Sequence, residues 1–398
     1  MIKQNSQENF GIYIHFPFCR RKCIYCDFYS VGERLADWEA FARAVENEFS
    51  TSSLPFEVFP SLYMGGGTPS LAPPELISRF RRMIPVEVGE FTIEVNPDDV
   101  TEEKARAWRE AGVNRVSMGI QTLNDDELKA IGRRHTAEEA EKAYYILRKY
   151  FSNISLDLIF GLPGQTLSSL SATLDRFIEM RPEHISAYSL MYEERTALTR
   201  MRDSGKVEEI PDEDSVEMFR LVTSKLKEAG YERYEISNYA LPGYRSHHNS
   251  NYWKGIPYIG LGPSAHSYDG DRTRRYNLPD LSLYIKEYGD SKDENLKLSH
   301  RTMPMHFCEN EEAASSALEY ENLSEEELRE EMIMTRLRMI EGLDLLEFED
   351  RFGKEERISL EKRAKPFLSS GDLIYMHDHI ALSESGVMIS DEIISELF

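Results

Sequence analysis

Along the first two thirds of the chain, hydrophobic positions switch between two periods. Within residues 11–16, Ile12, Ile14 and Phe16 fall on one face of a two-residue repeat, which predicts a strand. Trp38, Phe41, Ala42, Val45 and Phe49 then recur at helical spacing. The exchange repeats. Residues 62–64 form a short apolar run ended by three glycines, 73–83 follow a helical period, and 91–95 return to strand. Thr101 caps a helix that closes at Gly112. Strands over 114–120, 154–160 and 184–190 alternate with helices over 138–149, 167–180 and 216–229. Six strand–helix units predict an α/β fold built on a parallel sheet, most naturally an open or partial (β/α)6 barrel. A doubly wound sheet satisfies the same periods.

The pattern changes after about Asp290. Residues 309–331 are dense in acid and read as a solvated linker merging into a helix. Helical spacing continues over 332–340 and 343–352, Leu373-Ile374-Tyr375 and Ile380-Ala381-Leu382 flank a polar turn, and a last helix starts at about Ser390. Helices followed by a hairpin predict a small α+β, winged-helix-like module. The expected domains are therefore 8–290 and 291–398.

Composition narrows the function. A chain of 398 residues suits one large and one small domain. The formal net charge of −23 repels phosphates, and the basic runs Arg20-Arg21-Lys22 and Arg272-Thr273-Arg274-Arg275 are too short to reverse that. Nucleic acid is not an expected partner. There is no apolar run of membrane-spanning length and no signal-peptide core, so a cytoplasmic location without an integral membrane segment is expected.

Only four cysteines are present, and three of them form Cys19-x3-Cys23-x2-Cys26 directly after the first strand. This is no disulfide framework. In a barrel of parallel strands that loop lies at the carboxyl face, where sites are built. Three thiolates can hold three irons of a [4Fe–4S] cube and leave the fourth open to a ligand that presents an amine and a carboxylate together, as S-adenosylmethionine (SAM) does. A closed zinc site would need a fourth ligand; His15 is the nearest, on a strand and facing opposite to Ile14. Cys308 stands alone and reads as a structural or incidental thiol.

Tyr13-Ile14-His15-Phe16-Pro17-Phe18-Cys19 through Cys26-Asp27-Phe28 resembles the signature of the radical SAM superfamily. More narrowly it is similar to the branch of oxygen-independent coproporphyrinogen III oxidases and heme chaperones (the HemN/HemW family). The resemblance runs over nearly the whole chain. It implies that Cys19, Cys23 and Cys26 carry the cluster. It also implies that SAM is lined by Gly66, Gly67 and Thr68 of Gly65-Gly66-Gly67-Thr68-Pro69, with Glu94, Gln121, Arg133 and Asp157 as further contacts and Tyr13 and Tyr25 as neighbouring aromatics. By itself the glycine run is only a turn. An electron donor protein is an implied partner.

Within that branch, three features favour the chaperone side: Phe28 stands where the oxidase pattern has a fourth cysteine, only eighteen residues precede Cys19, and His248-Asn249-Ser250-Asn251-Tyr252-Trp253 fits a His-Asn-x-x-Tyr-Trp heme motif. The resemblance thus implies heme as a further ligand through His248, or through the adjacent His247, and a recipient protein for the heme. His266, in Gly260-Leu261-Gly262-Pro263-Ser264-Ala265-His266, resembles a further SAM contact. The alternatives are radical decarboxylation of coproporphyrinogen III and another radical reaction on a tetrapyrrole.

Overall fold

The computed structural model describes residues 10–52, 60–289 and 317–398; Cys308 lies outside them. The six predicted strands are β1 (Gly11–Phe16), β2 (Ser61–Gly66), β3 (Glu90–Val95), β4 (Arg115–Gln121), β5 (Ile154–Phe160) and β6 (His184–Ser189). They pair in parallel and in sequence order, which is single winding into a barrel and rules out the doubly wound alternative. A seventh parallel strand that periodicity does not predict, β7 (Tyr258–Leu261), pairs with the free side of β1.

Short antiparallel strands extend both flanks to twelve in all. Asn238–Ala240 and Glu232–Arg233 follow β6; His266–Tyr268, Thr273–Asn277 and Leu318–Asn322 follow β7. The two outermost strands do not pair with each other, so the barrel is open. Leu318–Asn322 corrects the reading of the acidic stretch as a linker merging into a helix: ahead of the helix, residues 318–322 form an edge strand aligned with Thr273–Asn277, and its charged side chains face solvent as suits an edge.

The strands divide their faces by chemistry. Ile12, Ile14, Phe16, Leu62, Met64, Phe91 and Ile93 are fully or almost fully buried against the surrounding helices. The alternate positions are polar and meet across the strands inside the barrel. Tyr63 donates to Glu94 (2.8 Å), Ser117 donates to Asp157 (3.1 Å), and Ser155 bonds His184 (2.8 Å). Phe16 and Phe18, on either side of Pro17, both pack on Phe41, and Phe18 sits edge-on to Trp38. This aromatic clamp fixes the chain just before Cys19.

The helix His247–Trp253 closes the amino-terminal end of the barrel. Glu90 accepts the backbone N–H groups of His247 (3.0 Å) and His248 (2.9 Å), placing an anion at the positive end of the helix. On the flank, Glu48 of the helix Trp38–Thr51 is fully buried and accepts from Gly262 N (3.0 Å), Arg275 (3.2 Å), Asn277 (2.8 Å) and the Tyr284 hydroxyl (2.7 Å). That one carboxylate ties β7, the antiparallel extension and the helix Leu281–Gly289 to the barrel. Glu48→Gln turns an NH2 group toward donors and should cost about 1–3 kcal/mol in urea unfolding; an unchanged midpoint would show that the latch carries no stability.

In the C-terminal module, helices Glu325–Arg338, Leu345–Phe352 and Lys354–Ser370 precede the hairpin of Leu373–Met376 and His379–Leu382, with Leu343–Asp344 as the third strand. This is the order a winged-helix-like module requires. The helix Lys354–Ser370 is absent from the sequence reading. Among the described residues no helix is long and apolar enough to cross a membrane.

Candidate functional site

The cysteine loop leaves the carboxyl end of β1 and is pinned where Phe18–Cys19 pairs in parallel with Val31–Gly32. All three loop cysteines are free and half-buried. Burial pushes the Cys19 thiol up, an effect partly offset by hydrogen bonds from Thr68 and Ser30, and pushes Cys26 up to about 11. Cys19 Sγ lies 3.3 Å from Thr68 Oγ1, and Arg133 Nη1 lies 3.6 Å from Cys23 Sγ. Tyr25 packs, as Leu190 does, against the buried cluster of Ile131, Ile159 and Leu162, which anchors the loop between Cys23 and Cys26. Gly132, at φ +76°, gives the room: a Cβ there would meet the Ile24 side chain at 3.3 Å.

Around the loop the predicted residues converge at the carboxyl ends of β2 to β5. Gly66 has φ +105°, and a Cβ on it would sit 2.5 Å from the His15 ring, so only glycine fits this turn. On Gly67 a Cβ would fall 2.7 Å from the carbonyl oxygens of Phe16 and Phe18. Glu94 accepts from the Tyr63 hydroxyl (2.8 Å) and from Gly66 N (3.2 Å), so one carboxylate holds the glycine turn. Part of Glu94 remains accessible, yet protein surrounds it: burial first, then the negative Asp157, raises its carboxyl to about 7. Burial likewise raises Asp157.

Arg133 is the hub. It donates to Asn96 (2.8 Å) and to the Gly119 carbonyl, and Asn96 in turn donates to Thr68 (3.2 Å). Its Nε is buried without a partner. A bulge separates Gly119 from Gln121, which takes φ 74°, and a Cβ on Gly119 would lie 2.8 Å from the Gln121 amide nitrogen. Gln121, Arg133 and Asn96 therefore crowd one corner beside Cys23.

Other predicted residues lie elsewhere. Tyr13 is inside the barrel, its hydroxyl 3.1 Å from His15 Nδ1 and its ring 6.2 Å from Tyr63. His15 Nε2 donates to the Tyr29 carbonyl (2.9 Å), and burial lowers the imidazole to about 4. Both of its nitrogens are in use, so it is no fourth metal ligand.

His248 is at the opposite end of the barrel from the cysteines, 1% exposed. Its ring stacks on Tyr63 at 5.0 Å and bonds Ser61 (2.8 Å) and the Tyr252 hydroxyl (2.8 Å), and burial lowers it to about 3. His247, next to it, is exposed. His266 is on the antiparallel extension, stacked on Tyr276 at 5.0 Å and away from the cysteine loop. Sequence reasoning passed over Asn96, Tyr63 and Glu90. Asn96 was in view before Pro97, which holds it in extended backbone at the strand end.

The residues suit the groups implied for them. Among the described residues the three loop thiols have no fourth ligand beside them, and no three His, Cys, Asp or Glu side chains, the loop thiols included, are gathered about a single ion position. The partnerless Arg133 Nε, the glycine turn and the Glu94 carboxylate supply a donor, a cradle and an acceptor beside them.

The chain matches known families in two places: the radical SAM superfamily over residues 13–177 and the HemN C-terminal domain over residues 323–389. It is 32% identical to heme chaperone HemW of Bacillus subtilis over 390 residues, covering 96% of this chain and 97% of that one. With heme chaperone HemW of Mycobacterium tuberculosis it shares 30% identity over 401 residues, 98% and 95% of the two chains. Among solved structures, coproporphyrinogen III oxidase (HemN) from Escherichia coli superposes with a TM-score of 0.76 at 20% identity, covering 98% of this chain and 90% of that one; at that identity the likeness is one of fold.

Proposed function

We propose that this chain, which belongs to the heme chaperone HemW family of the radical SAM superfamily, binds heme and passes it to a recipient protein while holding a [4Fe–4S] cluster and SAM. Cys19, Cys23 and Cys26 hold the cluster. Gly66, Gly67 and Thr68 cradle SAM, Glu94 accepts from its ammonium, and Gln121, Arg133 and Asp157 complete the wall. When bound, the cluster supplies a low-potential electron to the SAM sulfonium. The chain's own part is to orient and shield: Arg133 and Thr68 aim donors at the sulfurs, and the Tyr25 packing keeps water from one side of the loop. We place this work in the cytoplasm, where thiols stay reduced, with an electron donor protein meeting the cysteine loop.

What carries the chaperone reading is the likeness to heme chaperones named HemW over nearly the whole of both chains. The amino-terminal part of the barrel interior is filled by side chains: Tyr63 and His248 stack at 5.0 Å, and Tyr13 lies tilted against them at 6.2 and 6.5 Å. Heme is then met from outside, at the segment Ser246–Trp253. His248 must break two hydrogen bonds to reach iron, whereas His247 is already exposed, so we assign His247 as the ligand and His248 as the residue that seats the helix.

The test is a hemin titration under argon into reconstituted protein, following the Soret band. His247→Ala should weaken binding at least about tenfold with an unchanged melting temperature, the loss of one charge-independent ligand bond. His248→Ala should lower the melting temperature. Loss of binding in His248→Ala with full binding in His247→Ala would return the ligand role to His248. Binding indifferent to both would sink the heme reading and put anaerobic coproporphyrinogen turnover next.

A further inference from the structure

A cavity of about 400 Å³ lies far in sequence from the cysteine loop, between the barrel helix Asp212–Glu228 and the turn that follows the C-terminal hairpin. Phe219, Thr223 and Lys227 recur at four-residue spacing along one stripe of that helix, with Arg220 and Ser224 beside them; Arg233 and Met388 face them from the short edge strand and the C-terminal module. In a chain of net charge −23, three cations line one cavity.

Two of the three are neutralised locally. Lys227 pairs with Glu384 at 3.0 Å and Arg220 with Glu217 at 2.6 Å. Arg233 is different. Its guanidinium lies 5.9 Å over the Phe219 ring, it forms no ion pair within 4.0 Å among the described residues, and its Nη1 is buried with no hydrogen-bond partner. A buried donor left unpaired destabilises the protein unless an acceptor arrives. Glu384, across the cavity, feels Arg233 only at longer range than an ion pair, so Nη1 still lacks an acceptor, and the Phe219 ring and the adaptable Met388 thioether offer apolar wall beside it.

We infer that this cavity binds an amphipathic carboxylate, its head on Arg233 and its apolar body against Phe219 and Met388. Because the walls come from both domains, the ligand braces the joint between barrel and C-terminal module. A fatty acyl carboxylate and the propionate edge of a tetrapyrrole share this chemistry, and the site does not depend on the heme assignment above.

Calorimetry on the full chain with sodium decanoate and, separately, with metal-free protoporphyrin IX distinguishes the two sources; decanol supplies the body without the charge and acetate the head without the body. At least one carboxylate probe should bind saturably and raise the melting temperature, while decanol and acetate do neither. Arg233→Met should weaken that binding about tenfold or more, as loss of a charge-assisted pair does. Ser224→Trp, at an exposed rim position whose hydroxyl bonds only its own helix at Leu221, should block it while leaving the fold untouched. His247→Ala should leave it unchanged. If neither carboxylate binds, or if binding survives both cavity variants, the site does not exist.

Discussion

Replacing any one of Cys19, Cys23 or Cys26 with alanine should reduce iron and sulfide to background after anaerobic reconstitution, while the unfolding free energy of the metal-free chain stays within about 1 kcal/mol of the parent. The sharpness follows from the donor set. The loop has three thiols and no spare, and the one nearby imidazole, His15, spends both nitrogens on Tyr13 and Tyr29. Burial holds the Cys26 thiol up at about 11, so loading must displace protons and should slow as the buffer is acidified. Retention of a full cluster in any single variant would mean that another residue ligates, and the site would have to be redrawn.

The second large effect is on SAM affinity. Burial and the neighbouring Asp157 push the Glu94 carboxyl up to about 7. If its anion receives the SAM ammonium, affinity is full well above that pH and falls as the acid becomes neutral, approaching about tenfold for each unit below, or roughly fiftyfold between pH 7 and pH 5. Glu94→Gln should bind weakly and show no such slope. A flat profile in the parent protein would remove Glu94 from the site. The same shift has an opposite sign for the empty fold: the carboxyl is raised from 4.5, so its contribution to stability is present below 4.5 and is lost as pH rises through about 7. Bound SAM should offset that loss.

The barrel was legible because short apolar or alternating runs recur with turn residues after them, and each is followed by a stretch of helical period. β7 was not. Tyr258-Ile259-Gly260-Leu261 is four residues long, follows Pro257, and owes its place to pairing with a strand more than two hundred residues away. The helix Lys354–Ser370 was hidden for a different reason: it buries only Leu360 and Ala364 and carries Pro366, so its apolar face leaves little period to read. At the site, the cysteines, glycines, Glu94 and Arg133 were readable because their spacing matches a known signature. Asn96 and Tyr63 act only as partners of other side chains, and a partner across strands leaves no trace in local order. His248 is the reverse case: a motif names a residue type, and only packing against Ser61, Tyr63 and Tyr252 shows that this imidazole is enclosed.

The division of each strand into an apolar outer face and a polar inner face has an evolutionary consequence. The hydrophobic free energy of the barrel resides in Ile12, Leu62, Ile93 and their neighbours against the helices, whereas Tyr13, Tyr63, Glu94 and Asp157 occupy the alternate positions. Selection can therefore rewrite the inner set, one residue per strand, with the scaffold's main reserve of stability left alone, provided each new polar group finds a partner. Drift toward a new task on such a frame is cheap in folding terms and demanding in hydrogen-bond terms, which makes complementary pairs of inward substitutions, rather than single ones, the natural steps by which relatives of this chain diverge.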